Sequence, residues 1–370
     1  MNCNWTVWIA GPVVCVLGLC GCVTDGGAAD TGVPHPDFPR LSLTLEAGTL
    51  DNVARRVNEE AGGGLVVMNG IGERLLADLE FERAGFRYMT NLLSDGTGCL
   101  VEETPYYFFL YHEGYEALNT LSLEGQLDPV YEQTAAAFSF GANTALYNAL
   151  AALSANLGLT IVADNAIADA RCGEMGVPEA PLRTGLEALL KSARVAPDSF
   201  TVESTPEYTL LLSRANRNTA ALLLEKTLTE EERKLLDRRV SLVFPKPRAN
   251  DATLEFRYYA EPLEDAVPRL SNQFGVPVTI DPSIGELPVN PVVMNDVRIA
   301  TAMELLLRQW PYPLFGYEVR SGGLHIRPVQ KPGAAPAPEK GPATTPEAAS
   351  GSESAPAEDA ASAPEESSGG

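Results

Sequence analysis

The sequence predicts an α+β protein in which one β-α-β-β-α-β-β module is written three times, followed by a disordered acidic tail. Three observations lead to this prediction: apolar anchors recur at constant spacing, strand and helix patterns alternate within each segment, and the C-terminal stretch lacks large apolar residues. A small sheet with two helices packed on one face satisfies the layering of α+β domains.

The repeat is visible in three segments, residues 40–112, 137–215 and 253–328. In each segment two helical patterns begin 36 residues apart, since 86 − 50, 182 − 146 and 299 − 263 all give 36. A glycine follows the first start by twelve residues, and a leucine follows the second start by seven. Constant spacings of this kind indicate a repeated unit. The anchors are Leu50, Leu146 and Leu263; Gly62, Gly158 and Gly275; Phe86, Leu182 and Ile299; and Leu93, Leu189 and Leu306.

Each predicted module opens on a short alternating strand, at residues 41–45, 137–140 and 254–258. The helix that follows carries apolar residues at three- and four-residue steps, and its glycine serves as C-cap. Next come a β-rich run, a loop with a short strand, and the second helix. A hairpin closes the module, and Ser321-Gly322-Gly323 is a strong turn signal.

Residues 146–164 and 181–190 read Leu-x-x-Ala-Leu-x-x-Leu, then Gly-Leu-x-Ile-Val-x-Asp, then Pro-Leu-x-x-x-Leu-x-x-Leu-Leu. This pattern resembles the short N-terminal (STN) domain shared by secretins and TonB-dependent receptors, and similar modules occur in periplasmic parts of anti-sigma regulators. The third segment is similar through residues 263–281 and 299–307, whereas Gly62-Gly63-Gly64 sets the first apart. The resemblance implies binding and gating modules without catalytic residues.

The N-terminal segment, residues 1–22, predicts export. The first 23 residues contain no charged side chain, and Leu19-Cys20-Gly21-Cys22 resembles a lipobox in which Cys22 receives lipid. Val23 after that cysteine favours sorting to the outer membrane, and the protein is expected to face the periplasm. Because residues 1–6 contain no Lys or Arg, a simple secretory signal and an uncleaved membrane helix remain alternatives.

Two connectors and a tail complete the chain. Residues 113–134 separate the first two modules, and residues 216–251 form a helical linker in which Thr229 and Glu232 make a capping box. Residues 331–370 lack every large apolar side chain, which predicts disorder. Their charge is 2 − 7 = −5, and the whole chain carries 27 − 49 = −22, which argues against nucleic acid as a partner.

Candidate chemistry is sparse. No metal or cofactor site is expected, and Cys99 and Cys172 are either two unpaired thiols or one disulfide. Asp164 and Asp281 each follow a predicted strand and fit turn-capping carboxylates better than ligand contacts. The histidines are isolated, and no nucleophile or phosphate motif stands in a suitable context, so an enzyme is not expected.

One strand carries large apolar groups on both faces and is either covered on both sides or contacts a partner. It supplies the partner-binding candidates, Tyr106, Tyr107, Phe108, Phe109 and Tyr111. The predicted function is a lipid-anchored envelope scaffold that binds components of a transport, secretion or pilus assembly. The alternative is a ligand-sensing or signalling module of the envelope. The second module is expected to fold alone, and the oligomeric state is open.

Overall fold

A computed structural model of the chain describes residues 38–216, 223, 227–244, 248–249, 256–257, 260–311 and 315–329. The predicted lipidation site Cys22 and the predicted tail lie outside these residues. The described part has a mixed α+β architecture with many small sheets.

The first segment alternates short strands with two twelve-residue helices. Its elements are β1 (Leu41–Leu45), β2 (Gly48–Thr49), α1 (Leu50–Ala61), β3 (Leu65–Val67), β4 (Leu75–Leu76), β5 (Leu79–Ala84), α2 (Phe86–Thr97), β6 (Leu100–Glu103) and β7 (Phe108–Tyr111). Both helices begin at the predicted residue. Each ends at a glycine in the left-handed region, Gly62 at φ 74° and Gly98 at φ 64°, where other residues would be strained.

The second segment follows a connector that contains a 3-10 turn (Glu116–Thr120) and the short helix α3 (Pro129–Glu132). Its elements are β8 (Ala135–Phe140), α4 (Leu146–Leu157), β9 (Ile161–Ala163), α5 (Asn165–Ala168), β10 (Met175–Pro181), α6 (Leu182–Ser192), β11 (Phe200–Ser204) and β12 (Thr209–Ser213). The predicted C-cap Gly158 and the predicted hairpin are confirmed.

The third segment begins earlier than predicted. It contains α7 (Glu230–Leu236), β13 (Arg239–Phe244), β14 (Arg248–Ala249), β15 (Phe256–Arg257), β16 (Glu261–Pro262), α8 (Leu263–Phe274), β17 (Val278–Ile280), a 3-10 turn (Pro282–Ile284), β18 (Pro288–Val289), β19 (Val292–Arg298), α9 (Ile299–Leu307), β20 (Phe315–Arg320) and β21 (Gly323–Pro328). The capping box of Thr229 and Glu232 is confirmed.

The residues predicted as linker therefore contribute a strand. β13 pairs antiparallel with β19, and its Leu242 and Phe244 are buried. The strand predicted at residues 254–258 falls mostly outside the described residues, and β15 within it pairs with β14. Residues 239–244 carry apolar side chains at alternate positions much as residues 254–258 do, so this pattern alone does not distinguish the two strands.

Strand pairing follows one scheme in all three segments. The first long strand pairs antiparallel with the strand before the second helix, in β1–β5, β8–β10 and β13–β19. The strand after the first helix pairs in parallel with the last strand, in β3–β7, β9–β12 and β17–β21. Each last strand also forms the closing antiparallel hairpin with the strand before it.

The first two segments share one sheet and one core. Met175 of β10 pairs antiparallel with Val66 of β3, which produces the five-stranded order β6-β7-β3-β10-β8. The buried side chains of both segments form a single continuous cluster. A second cluster fills the third segment and also takes in Val162, Leu210 and Leu212 of the second.

Candidate functional site

The predicted partner-binding strand corresponds to β7 and the two residues before it. Tyr107, Phe108, Phe109 and Tyr111 are all buried, and Tyr106 is partly buried. The Phe108 ring lies 5.5 Å from the ring of Phe86 in α2, measured between centroids. This side of the strand therefore faces its own segment.

The opposite side of the same strand is covered by the second segment. Lys191 of α6 places Nζ 5.9 Å from the ring centroid of Phe109 and 6.0 Å from that of Tyr107. Tyr111 stacks on Phe109 with centroids 5.4 Å apart. Intrachain packing thus accounts for apolar groups on both faces, and a partner-binding role for this strand stays a prediction that would require the second segment to move.

Contacts between the first two segments, which we call the first junction, centre on a buried ion pair. Lys191 is 3% exposed, and its Nζ donates to Oε1 and Oε2 of Glu102 at 3.0 and 2.8 Å. Lysine is seldom buried to this extent without a partner. α6 positions the cation and β6 positions the carboxylate, so the pair joins the end of one helix to the preceding hairpin.

Contacts between the second and third segments, the second junction, contain a similar pair. Arg308 is 7% exposed, and its Nη1 and Nη2 donate to Oε1 and Oε2 of Glu203 at 3.0 and 2.5 Å. This is the two-pronged geometry in which arginine binds carboxylates best. Thr301 adds a hydrogen bond from Oγ1 to Oε2 of Glu207 at 2.8 Å, in the turn of the β11–β12 hairpin.

The two junction cations lie at the same distance from the start of their helices, Lys191 within α6 and Arg308 as the C-cap of α9. Lys191 lies nine residues after the start of α6 and Arg308 nine after the start of α9, since 191 − 182 = 9 and 308 − 299 = 9. The next residue repeats a second contact. The carbonyl of Ser192 accepts from the N–H of Asn69 at 2.8 Å, and that of Gln309 accepts from the N–H of Asn165 at 2.7 Å.

A close backbone approach also defines the first junction. A Cβ atom at Gly173 would lie 2.3 Å from the carbonyl oxygen of Val67, and one at Gly63 would lie 2.9 Å from the backbone nitrogen of Pro178. The N–H of Val67 donates to the carbonyl of Glu174 at 2.8 Å. The glycines let β3 and β10 come within hydrogen-bonding distance, which explains the glycine run after α1.

We expect Gly173→Ala to destabilise the chain by about 1–3 kcal/mol, because the added methyl group must push two backbones apart. Chemical denaturation followed by circular dichroism measures this loss. Gly48→Ala is the matched control, since a Cβ there would meet its nearest atom at 3.7 Å. Equal stability of the two variants would show that the junction tolerates a wider separation.

The pKa values of two carboxylates at the junctions are shifted in opposite directions. Hydrogen bonds from Arg308 lower the pKa of Glu203 below its ordinary value of 4.5. Burial raises the pKa of Glu174, although Arg55 and the N–H of Ala142 oppose this shift. Arg55 Nη2 lies 3.3 Å from Glu174 Oε2 across the first junction.

These shifts predict opposite pH profiles for two glutamine variants. The stabilisation from Glu203 is present above pH 4.5 and is lost as the pH falls through the lower pKa of the folded state, so Glu203→Gln should cost least in acid. Glu174 contributes most below pH 4.5, and its contribution falls as the pH rises, so the wild type should weaken relative to Glu174→Gln on going to neutral pH. Urea unfolding across the acid range measures both differences, and parallel profiles would contradict the assignment.

Asp164 lies at the second junction with 0% exposure. Its carboxylate accepts hydrogen bonds from the N–H and Oγ of Ser213 at 2.8 and 2.6 Å and from Nδ2 of Asn216 at 3.0 Å. It also caps α5, as predicted, and Asp281 caps the 3-10 turn of the third segment. Donors from the protein itself surround the buried carboxylate, which fits a structural role.

The other candidate residues named from the sequence do not come together in one site. Cys99 and Cys172 are buried, unpaired thiols, and burial raises the pKa of Cys172 to about 12. Across the described ranges, no group of three or more His, Cys, Asp or Glu side chains is placed to hold a metal ion. None of the described helices has the length and apolar character that a bilayer crossing requires.

The sequence did not reveal the junction residues. Lys191 and Glu102 are 89 residues apart, and Arg308 and Glu203 are 105 apart. The available signal was a basic residue nine positions after the start of the second helix in two segments. Comparisons with protein families, characterised proteins and solved structures found no match to this chain.

Proposed function

We propose that residues 38–329 are three copies of one STN-like module, joined in series into a non-enzymatic scaffold that binds other proteins of the bacterial envelope. The repeated junction carries this proposal. Lys191 with Glu102, and Arg308 with Glu203, use the same helix position and the same hairpin strand. A chain in which the same kind of junction occurs twice holds its modules in a fixed relative orientation, as a scaffold requires.

A shared detail inside each module supports the same proposal. Near the end of the first helix, Asn58, Ser154 and Ser271 each accept a hydrogen bond from the backbone N–H seven residues later, at 2.9 Å in all three cases. The bond fastens the helix to the strand that follows its C-cap glycine. Packing of apolar side chains alone would not require a polar side chain at this position three times.

The proposed location depends on lipidation of Cys22, which anchors the scaffold to the outer membrane facing the periplasm. The experiment expresses the full chain and a Cys22→Ala variant in the native host, followed by chemical crosslinking and affinity purification. Wild-type chain should partition into detergent and capture defined envelope proteins, whereas the variant should lose the lipid mass and most of the capture.

Three outcomes separate the proposal from its rivals. Equal detergent partitioning and an unshifted mass in both proteins would favour an uncleaved helix over a lipid anchor. Recovery of a small molecule or polymer without protein partners would favour the sensing alternative. Capture that is identical for the anchored and unanchored chains would overturn the envelope scaffold.

A further inference from the structure

The helix face that α6 and α9 use at the junctions is uncovered on α2. The third and tenth residues of α6, Thr184 and Lys191, are buried, as are the corresponding Thr301 and Arg308 at α9. The corresponding residues of α2, counted from Phe86, are Tyr88 and Asp95. Tyr88 is 60% exposed and Asp95 is exposed. The first module thus presents a junction face with nothing seated on it among the described residues.

The surface that would receive such a face carries no other helix on the third module, within the part of the chain that the structure describes. The strand registers identify this receiving surface. At the first junction, Glu102 pairs with Phe109, which pairs in turn with Val66. At the second junction, Glu203 pairs with Leu210, which pairs in turn with Val162. In the third module the same register joins Glu318, His325 and Thr279. The apolar members of the first two sets are buried, whereas His325 is half-buried and Thr279 is exposed.

The charges of the two open surfaces are complementary. The helix position that holds Lys191 or Arg308 at the junctions holds Asp95 in α2. On the receiving hairpin, Glu318 contacts Arg320 and also Arg327, whose Nε lies 3.4 Å from Oε1 of Glu318. Two arginines around one glutamate leave a net positive charge of one. As at the junctions, a charge at the helix would meet the opposite charge on the hairpin. Here the helix carries the negative charge and the hairpin the positive one.

The sizes of the two surfaces are complementary as well. At the second junction the small Thr301 meets the long Glu207, two residues before the paired strand residue Thr209. On the third module the corresponding residue, two before Leu324, is Gly322. A Cβ at Gly322 would meet nothing within 4 Å, so there is open space opposite the large Tyr88.

We infer that the α2 face of one chain binds the β20–β21 hairpin of a second copy. The inference rests on the module equivalence of the proposed function. Because the two surfaces differ, each chain keeps one free surface after binding, and the contact can repeat head to tail. The reversed charges also keep these two surfaces from replacing a partner at the internal junctions. In such a mispaired contact, Asp95 would face Glu102 or Glu203, and like charges would repel each other.

Disulfide trapping in the full chain tests this contact. The double variant Tyr88→Cys/Ser321→Cys, oxidised in native membranes, should give a ladder of dimer, trimer and larger species on a non-reducing gel. Ser321 is used because it is the exposed neighbour of Gly322 in the turn and already holds a non-glycine residue at positive φ, whereas a cysteine at Gly322 itself would be strained. Either single cysteine variant can give at most a dimer. A second arm adds Asp95→Arg to the double variant, and the ladder should fall by about tenfold because this arginine faces Arg320 and Arg327. Adding Arg320→Glu should restore it.

The results that would overturn the inference are distinct. A double variant that stays monomeric, or yields only the dimers of the single variants, has no head-to-tail contact. A ladder unaffected by Asp95→Arg reflects random collision. Melting temperatures of all variants, measured on purified chain, must match the wild type within the same experiment. The double variant Arg56→Cys/Ser321→Cys, whose first cysteine lies on the exposed side of α1, checks that two surface cysteines alone do not produce ladders. Failure here leaves capture of other envelope proteins untouched.

Discussion

Replacing Glu102 with alanine is expected to destabilise the chain by about 3 kcal/mol, because it leaves a buried lysine without its counter-charge. Lys191 is 3% exposed and receives both carboxylate oxygens of Glu102 within 3.0 Å. The rings of Tyr107 and Phe109 next to its ammonium group replace only part of that interaction. The free energy of unfolding from urea titration measures the loss.

The neighbouring residue supplies a matched control. Glu103 lies on the same strand and pairs with Arg87, whose side chain is 70% exposed. Exposed pairs contribute about 1 kcal/mol or less, so Glu103→Ala should change stability little. If the two alanine variants lose the same stability, the ammonium group of Lys191 reaches water or another carboxylate, and the first junction is looser than described.

A double variant separates charge from packing. Glu102→Leu/Lys191→Met removes both charges while keeping apolar volume, and it should recover most of the stability that Glu102→Ala loses. Recovery would show that the single variant suffers from an unpaired charge. A double variant as unstable as the single one would show that the ion pair itself holds the junction together.

Local elements of this fold could be predicted from the sequence because their causes are local. The starts of α1, α4 and α8 follow from apolar residues at helical spacing, and their ends follow from Gly62, Gly158 and Gly275. Each signal is contained within about four helical turns. The same holds for the hairpin at Ser321-Gly322 and for the cap at Thr229.

The junctions could not be predicted from the sequence because their partners come from different segments. The aromatic run before and within β7 did indicate a second covering surface, but the sequence could not say that α6 provides it. Arg308 and Lys191 looked like ordinary helix-ending cations, which often sit near helix C-termini for their dipole. Only the fold shows that each contacts the hairpin of the preceding segment.

The same junctions lead us to expect that residues 137–215, which the sequence alone predicts to fold by themselves, do not do so. Residues 137–215 expressed by themselves would lose Val66 as the pairing partner of Met175 and Glu102 as the partner of Lys191. They would also expose Val162 and Leu210, which pack in one core cluster with the third segment. A module of about 80 residues has little stability to spare, so we expect no cooperative unfolding transition for this fragment.

A longer fragment provides the comparison. Residues 38–216 contain the whole five-stranded sheet and every member of the first core cluster, so this fragment should unfold cooperatively. Dispersed amide signals in a two-dimensional NMR spectrum and a sigmoidal thermal melt distinguish the two behaviours. Dispersed signals from residues 137–215 alone would show that the module is autonomous and that the junctions only align finished units. Their absence, with a well-folded 38–216, would mean that the first junction belongs to the folding unit itself, since β10 of the second segment pairs with β3 of the first within one sheet.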